Sequence, residues 1–309
     1  MKIAIFGGNS AIAQSLLSYF CEEFEWVYLF VRNVDPFISE DVNEKGFQYI
    51  NASYHQYKDL VEVVDVDVLI NCVGVGDPAK AKALGLDILK ITECYDSLAL
   101  NMVENTGCKY IFFSSGAIYN SSFNDPAKGE GAIEINLNEI SSYGFYSLSK
   151  LLSEIKHRIY KERSIFDIRV FNYYSSCFDL KQRYFITDAV RAIKNKEVLV
   201  VDSNDIVRDY IAPKDLFQLI RKLCLPSIQA NDFIDCYSKK PVRKFEILEM
   251  LRSEFGLKYT VDNSLETINA TGMKINYFSI SRKALKYGYE PEFSSLEAIR
   301  SEMKILLNS

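Results

Sequence analysis

At 309 residues, 48% apolar and 25% charged, the chain has an ordinary globular composition and enough length for one large core or two unequal ones. Its formal net charge of -5 argues against a general nucleic-acid or membrane surface, while leaving room for a local basic pocket that takes phosphates. Seven cysteines without a C-x-x-C pair make neither a disulfide framework nor a zinc site. Met1-Lys2 leads straight into an apolar strand pattern, and no apolar run reaches the ~18 residues of a membrane span, so a cytoplasmic protein without a signal peptide is expected.

Short apolar runs alternate with amphipathic stretches through the first half, the pattern of a parallel sheet with helices on both faces. Residues 2–6 read as the first strand and 11–24 as a helix, with strands following at 26–31, 47–50 and 68–73. A helix over 89–106 precedes a strand at 110–114, a long helix lies within 139–161, and 166–171 returns as a strand. Beyond Asn172 the alternation loosens: helices are predicted at 183–195, 214–225, 245–255, 281–287 and 295–307, with a strand at 198–201. The predicted fold class is therefore α/β, a doubly wound parallel sheet over 1–172 with a smaller α+β lobe over 173–309, from which about 205–225 rejoins the first unit. Ligands of such sheets sit at the carboxyl edge of the strands, here the cleft under the second lobe.

Gly7-Gly8-Asn9-Ser10-Ala11-Ile12-Ala13 joins the first strand to the first helix. Glycine lets the backbone approach a pyrophosphate, and the helix start offers orphan N–H groups at Ala11 and Ile12. A strand–Gly-Gly–helix turn also occurs for purely structural reasons, but its place immediately after the first strand favours the phosphate reading. An acidic residue ending the second strand would take the adenine ribose of NAD, and an arginine there would take the 2′-phosphate of NADP. The chain has Arg32-Asn33, which favours NADP(H) over NAD(H); Asp35 close by is the competing ribose ligand.

Tyr146 and Lys150 stand four residues apart on a predicted helix and so share a face, with Ser114-Ser115 upstream at a strand end. An ammonium beside a phenol favours the phenolate, so Lys150 is expected to lower the Tyr146 pKa from its ordinary value near ~10 toward neutrality. A serine hydroxyl at the same point would hold a substrate oxygen. Tyr143 is a competing phenol, but only Tyr146 has the lysine at this offset. His55 and His157 read as surface or packing residues, Cys72 as an apolar filler, and the absence of a G-x-S-x-G elbow disfavours a serine hydrolase. The abundant tyrosines and phenylalanines read as core and cleft packing, with Tyr184 or Phe185 available to stack on a base.

Over essentially its whole length the chain resembles the extended short-chain dehydrogenase/reductases, in particular the nucleotide-sugar epimerase, dehydratase and reductase branch. The resemblance rests on the glycine turn, Tyr146 with Lys150, Phe113-Ser114-Ser115-Gly116-Ala117-Ile118-Tyr119, Ile70-Asn71-Cys72-Val73-Gly74, Arg169-Val170-Phe171-Asn172-Tyr173-Tyr174, and Val207-Arg208-Asp209-Tyr210-Ile211 followed by Asp215-Leu216. It implies a Rossmann domain with Ser115, Tyr146 and Lys150 as catalytic residues. Gly7, Ser10, Ala11, Ile12, Arg32, Asn51, Val73 and Gly74 would bind the cofactor together with Tyr146 and Lys150. Asn172 and Arg208, beside Ser115, would bind the substrate, their part being its diphosphate, which a guanidinium meets with two parallel bonds; the plainer reading of Arg208-Asp209 is a local ion pair. No metal is implied. A homodimer paired through the Tyr146 helix and a place in polysaccharide biosynthesis follow from the resemblance alone.

The departures are Ser10 and Ala13 for two glycines, and Ser175-Ser176 where the family usually has Gly-Pro. Gly116 and Ala117 stand where sugar dehydratases of the family carry Asp-Glu, which disfavours 4,6-dehydration, and a related decarboxylase would want a glutamate near the same spot. The resulting expectation is an NADPH-dependent reductase of a nucleotide-linked 4-keto-6-deoxy sugar, with Tyr146 as proton donor. The alternatives are an NAD(P)-dependent 4-epimerase and a non-catalytic NADP-sensing protein, the intact trio counting against the latter. Substrate choice is assigned to loops within 178–202 and 235–276.

Overall fold

Runs of β-branched and aromatic residues form the strands, and the inner ones are buried on both faces, as parallel strands flanked by helices must be. These are β1 (Lys2–Phe6), β2 (Trp26–Val31), β3 (Phe47–Asn51), β4 (Val68–Asn71), β5 (Lys109–Ser115) and β6 (Ile165–Val170). The computed structural model describes residues 1–32, 46–51, 65–75, 78–119, 123–129, 138, 144–264 and 274–308. With β11 (Asn231–Asp235) the strands make a seven-stranded sheet in the order β3-β2-β1-β4-β5-β6-β11, every pair parallel. Strand order reverses between β1 and β4, so the carboxyl ends of these two strands open the crevice in which such sheets bind ligands.

Alternation along β1 divides the core. Ile3 and Ile5 pack with Ala13, Leu16 and Phe20 of α1 (Ala11–Glu23) and with Leu216, Leu219 and Leu223 of α6 (Pro213–Cys224). Ala4 and Phe6 face the other layer, where Leu98, Met102 and Val103 of α3 (Asp87–Thr106) lie against the sheet. The helix α4 (Gly144–His157) packs beside α3 on that face. A short α2 spans Pro78–Leu84.

The second lobe has its own core, built from α5 (Phe185–Asn195), α7 (Lys244–Phe255) and α8 (Ser295–Asn308) around Ile186, Val190, Leu248, Leu251, Ile299 and Met303. Small sheets stitch it to the first. β7 (Asn172–Tyr173) pairs with β10 (Tyr210–Ile211), and β8 (Val198–Val201) with β13 (Lys258–Val261). β9 (Val207–Arg208) lies between β12 (Val242–Arg243) and β14 (Asn276–Tyr277).

Several elements differ from the sequence expectation. The return to the first unit does not end near 225, because β11 adds an edge strand and Ala284, Tyr287 and Tyr289 join the same core. β11 reads Asn-Asp-Phe-Ile-Asp, too polar to register as a strand. Residues 283–287 form a 3₁₀ turn rather than an α-helix, and the strand expected to reach 73 stops at Asn71. The expected helix start at 139–143, together with Tyr143, Asn33, Asp35 and His55, lies outside the described residues.

His157 is fully buried at the end of α4. Its Nδ1 lies 2.6 Å from Asp167 Oδ1 and its Nε2 2.7 Å from Asp96 Oδ1. Tyr110 donates to the same Asp96 oxygen at 2.9 Å, and Lys156 and Arg158 flank the two carboxylates. Burial disfavours the imidazolium, but Asp167 and Asp96 outweigh it and lift the His157 pKa from 6.5 to about 9. The raised value means that this stabilisation is complete below pH 6.5 and is lost as pH climbs through 9. His157→Gln is therefore expected to lower the melting temperature most at pH 6, with the gap to wild type narrowing above pH 9; a gap that stays constant with pH contradicts a charged His157.

Candidate active site

Where β1 ends, Gly7 turns the chain with φ +76°, and a Cβ there would stand 3.1 Å from the backbone of Cys72 and Val73 at the end of β4. Gly8 is equally confined, its missing Cβ meeting that of Leu29 at 2.9 Å. Both amides bond to the Phe30 carbonyl of β2, at 3.2 and 3.0 Å, which fixes the bend against the neighbouring strand. Ser10 caps α1, its hydroxyl accepting from the Ala13 amide at 3.2 Å. The N–H groups of Ala11 and Ile12 then form the open first turn of a helix with no acidic residue in it. A bare glycine cradle and an open helix start with no acidic residue in its first turn suit the pyrophosphate of a dinucleotide.

Arg32 follows β2 directly and is exposed, and Asn51 closes β3 in register with Val31. These two positions lie at the carboxyl edge on the side where an adenine ribose would be held.

On the other side of the switch point, β5 ends at Ser115 and α4 carries Tyr146 and Lys150. Ser115 is buried, and its Oγ accepts from the Ala117 amide at 3.2 Å. Burial raises the Tyr146 phenol pKa, and a hydrogen bond with Ser115 opposes the rise. Lys150 is also buried; its Nζ lies 4.3 Å from the Phe112 ring centroid and 3.5 Å from the Val73 carbonyl oxygen. A Cβ on Gly74 would come within 3.3 Å of that amine and crowd it where it reaches this edge. Burial brings Lys150 down to about 8, with Asp96 the first of the groups opposing it, so the amine stays mostly charged at neutral pH. The structure thus corrects the expectation of a phenol acidified by Lys150. The amine is turned toward Val73 and Phe112, and burial dominates at Tyr146, leaving a phenol that holds its proton.

A buried hydrogen-bond chain fixes the end of β5. Ser114 donates to Glu154 at 2.5 Å, Arg169 forks onto Glu154 with contacts of 2.6 and 3.0 Å, and its Nη1 donates to the Tyr119 hydroxyl at 2.8 Å. Tyr119 donates in turn to Asp235 at 2.8 Å. Strands β5, β6 and β11 and the helix α4 are thereby locked together one residue from Ser115.

From the second lobe, Arg208 Nη1 donates to the carbonyls of Val207 and Lys274, each at 2.8 Å, and Asn172 donates to the Asp209 carbonyl at 3.4 Å. The Asp209 carboxylate takes the Ser238 amide and the Ser295 hydroxyl, so its hydrogen bonds run to the lobe interior rather than to Arg208. Two residues that the sequence reading did not single out complete this side, Lys274 and Tyr277. The Lys274 amine lies 4.5 Å from the Tyr277 ring centroid, and the Tyr277 hydroxyl reaches to 3.5 Å from Ser115 Oγ. Tyr184, at the start of α5, packs against Phe178 with ring centroids 6.0 Å apart. Cys72 reads as expected for a filler, its thiol pushed up to about 12 by burial. Among the described residues no group is arranged to hold a metal ion, and no helix is long and apolar enough to cross a membrane.

The profile of the NAD dependent epimerase/dehydratase family matches residues 3–227. The chain belongs to that family: it is an enzyme of the extended short-chain dehydrogenase/reductase type that uses a nicotinamide dinucleotide. Among solved structures it is similar to UDP-glucose 4-epimerase from Thermotoga maritima with UDP-glucose, at 15% identity and TM-score 0.78, covering 100% of this chain and 99% of that one. It is similar also to UDP-glucose-4-epimerase from Stenotrophomonas maltophila with bound NAD and formylated UDP-arabinopyranose, at 13% identity and TM-score 0.83, covering 100% and 98%. A third is dTDP-glucose 4,6-dehydratase from Bacillus anthracis in complex with NAD, at 14% identity and TM-score 0.78, covering 100% and 97%. No curated protein matches the chain by sequence.

Proposed function

We propose that this enzyme reduces the ketone of a nucleotide-linked 4-keto-6-deoxy sugar, with NADPH as reductant. What supports the reading is the hydrogen bond between Ser115 and Tyr146 and the reach of the Lys150 amine to Val73 and Gly74, next to the Gly7 bend. The dinucleotide, when bound, supplies the hydride. Tyr146 gives its proton to the carbonyl oxygen as negative charge develops there; burial keeps the phenol protonated, the form an acid needs. Ser115 holds the same oxygen by a hydrogen bond, and Lys150, charged below about pH 8, secures the nicotinamide ribose. Gly7, Ser10, Ala11 and Ile12 receive the pyrophosphate, and Asn51 flanks the adenine. Asn172 and Arg208 hold the diphosphate of the sugar nucleotide.

Dehydration fits poorly. A Cβ at Gly116 would stand 2.4 Å from the Phe171 ring, so the first carboxylate of a dehydratase pair has no room there. Arg32 at the end of β2 favours NADPH, the cell's reductant pool, and with it net reduction. The second reading is a 4-epimerase that retains NAD, supported by the two UDP-glucose 4-epimerases named above. A homodimer paired through α4 is supported by the exposed apolar side chains Leu152, Ile155 and Ile159 on and just beyond it.

Incubation with a panel of nucleotide-linked 4-keto sugars tests the reading: net loss of NADPH supports the reductase, and interconversion of sugars without net loss transfers support to the epimerase. Arg32→Ala is expected to weaken NADPH roughly tenfold to a hundredfold, the range of a charge-assisted hydrogen bond, and to leave NADH nearly unchanged. Equal losses for both coenzymes contradict the role given to Arg32.

A further inference from the structure

Tyr277 brings a second phenol to Ser115, close enough to Tyr146 for the two to act on each other, from a part of the chain remote in sequence. Its oxygen lies 3.5 Å from Ser115 Oγ. That is longer than a formed O–H···O bond by about 0.7 Å, a gap of the kind that closes when substrate fills a catalytic site. The ring is largely buried and clasped edge-on by Phe123 at 4.8 Å and Phe171 at 5.2 Å between centroids. Its strand, β14, pairs in parallel with β9, setting Tyr277 opposite Arg208.

The hydroxyl of a serine has one proton and two lone pairs. At Ser115 the Ala117 amide occupies one lone pair. A phenol donating to the second leaves the serine proton with a single outlet, toward the oxygen it shares with Tyr146. Either hydroxyl can donate across this gap; burial pushes the Tyr277 phenol up, against the opposing pull of Ser115, so it keeps a proton to give. We propose that Tyr277 is a positioning residue for Ser115, donating to its Oγ so that the serine hydroxyl points at the reacting oxygen. The inference rests on the oxidoreductase reading of the same site and adds to it a residue from the second lobe.

The neighbours of Tyr277 give this placement a consequence. Arg208 Nη1 donates to the Lys274 carbonyl at 2.8 Å, and the Lys274 amine lies over the Tyr277 ring. Lys274 is only 7% exposed and pairs with no carboxylate among the described residues. The stretch 274–277 therefore carries one cationic group, Lys274, beside Arg208 at one end and the serine's partner at the other. An anion drawn between Arg208 and Lys274 would settle this stretch, and with it the Tyr277 hydroxyl.

Tyr277→Phe keeps the ring and removes only the hydroxyl. It is expected to lower kcat roughly tenfold with KM nearly unchanged and an unaltered melting temperature. In a Ser115→Ala background the same change is expected to cost nothing further, because an effect transmitted through Ser115 vanishes with it. A Tyr277→Phe enzyme with wild-type kcat overturns the proposal, as do losses that multiply with those of Ser115→Ala. Wild-type enzyme that transfers hydride to no sugar of the panel overturns the functional reading and this inference together; active wild type with multiplying losses overturns the role of Tyr277 alone.

Discussion

Tyr146→Phe is expected to lower kcat by roughly 10²–10⁴-fold, the usual contribution of a positioned general acid, while coenzyme affinity changes little. The ring is retained, so packing along α4 is preserved and the effect isolates the proton. The phenol is the group at this edge best able to deliver one. Ser115 is a far weaker acid, and Lys150 is turned away toward Val73. Burial acts on the two titratable members in opposite senses, raising the Tyr146 pKa and lowering that of Lys150 to about 8. The reductive rate should therefore hold through neutral pH and fall at higher pH as Lys150 loses its charge. A Tyr146→Phe variant with wild-type turnover would remove the proton donor from the scheme.

Arg169→Met is expected to destabilise the fold by roughly 3–5 kcal/mol, the cost of leaving one member of a buried ion pair without the other. Glu154 and Arg169 are both buried, and the guanidinium also spans to Tyr119 and stacks 3.7 Å over the Phe233 ring. Its removal strands the Glu154 carboxylate beside Ser114 and leaves Tyr119 and Asp235 without their cation. The melting temperature should fall by roughly 10 °C. Adding Glu154→Gln should recover part of that loss, since the stranded charge is then gone. An Arg169→Met variant as stable as wild type would mean that the network contributes little net energy.

The sequence made some parts of this molecule legible because their causes are local. The apolar run of β1, the glycine bend and the four-residue offset of Tyr146 and Lys150 are each decided by neighbours in the chain. Spacing alone did not reveal where the Lys150 amine goes: a shared helix face fixes the Cβ positions, whereas the long side chain runs to Val73 and over Phe112. Nor could composition show that β11, with three polar residues in five, completes the sheet as an edge strand. His157 read as surface or packing because its carboxylate partners, Asp96 and Asp167, come from another helix and a strand. Tyr277 escaped notice for a related reason. It reaches Ser115 through a two-residue strand paired with β9, and so short a pairing leaves no periodicity to read.

The central claim is that this chain moves hydride between a nicotinamide and a sugar carbon while Tyr146 manages the proton. A single-turnover experiment with NADPH deuterated at the transferring position tests it most directly, using the nucleotide-linked 4-keto sugar that consumes coenzyme fastest. The account predicts deuterium on the former ketone carbon of the product from wild-type enzyme, and transfer slowed by orders of magnitude with Tyr146→Phe. Product that carries no deuterium at that carbon, or equal transfer by the two enzymes, would contradict it.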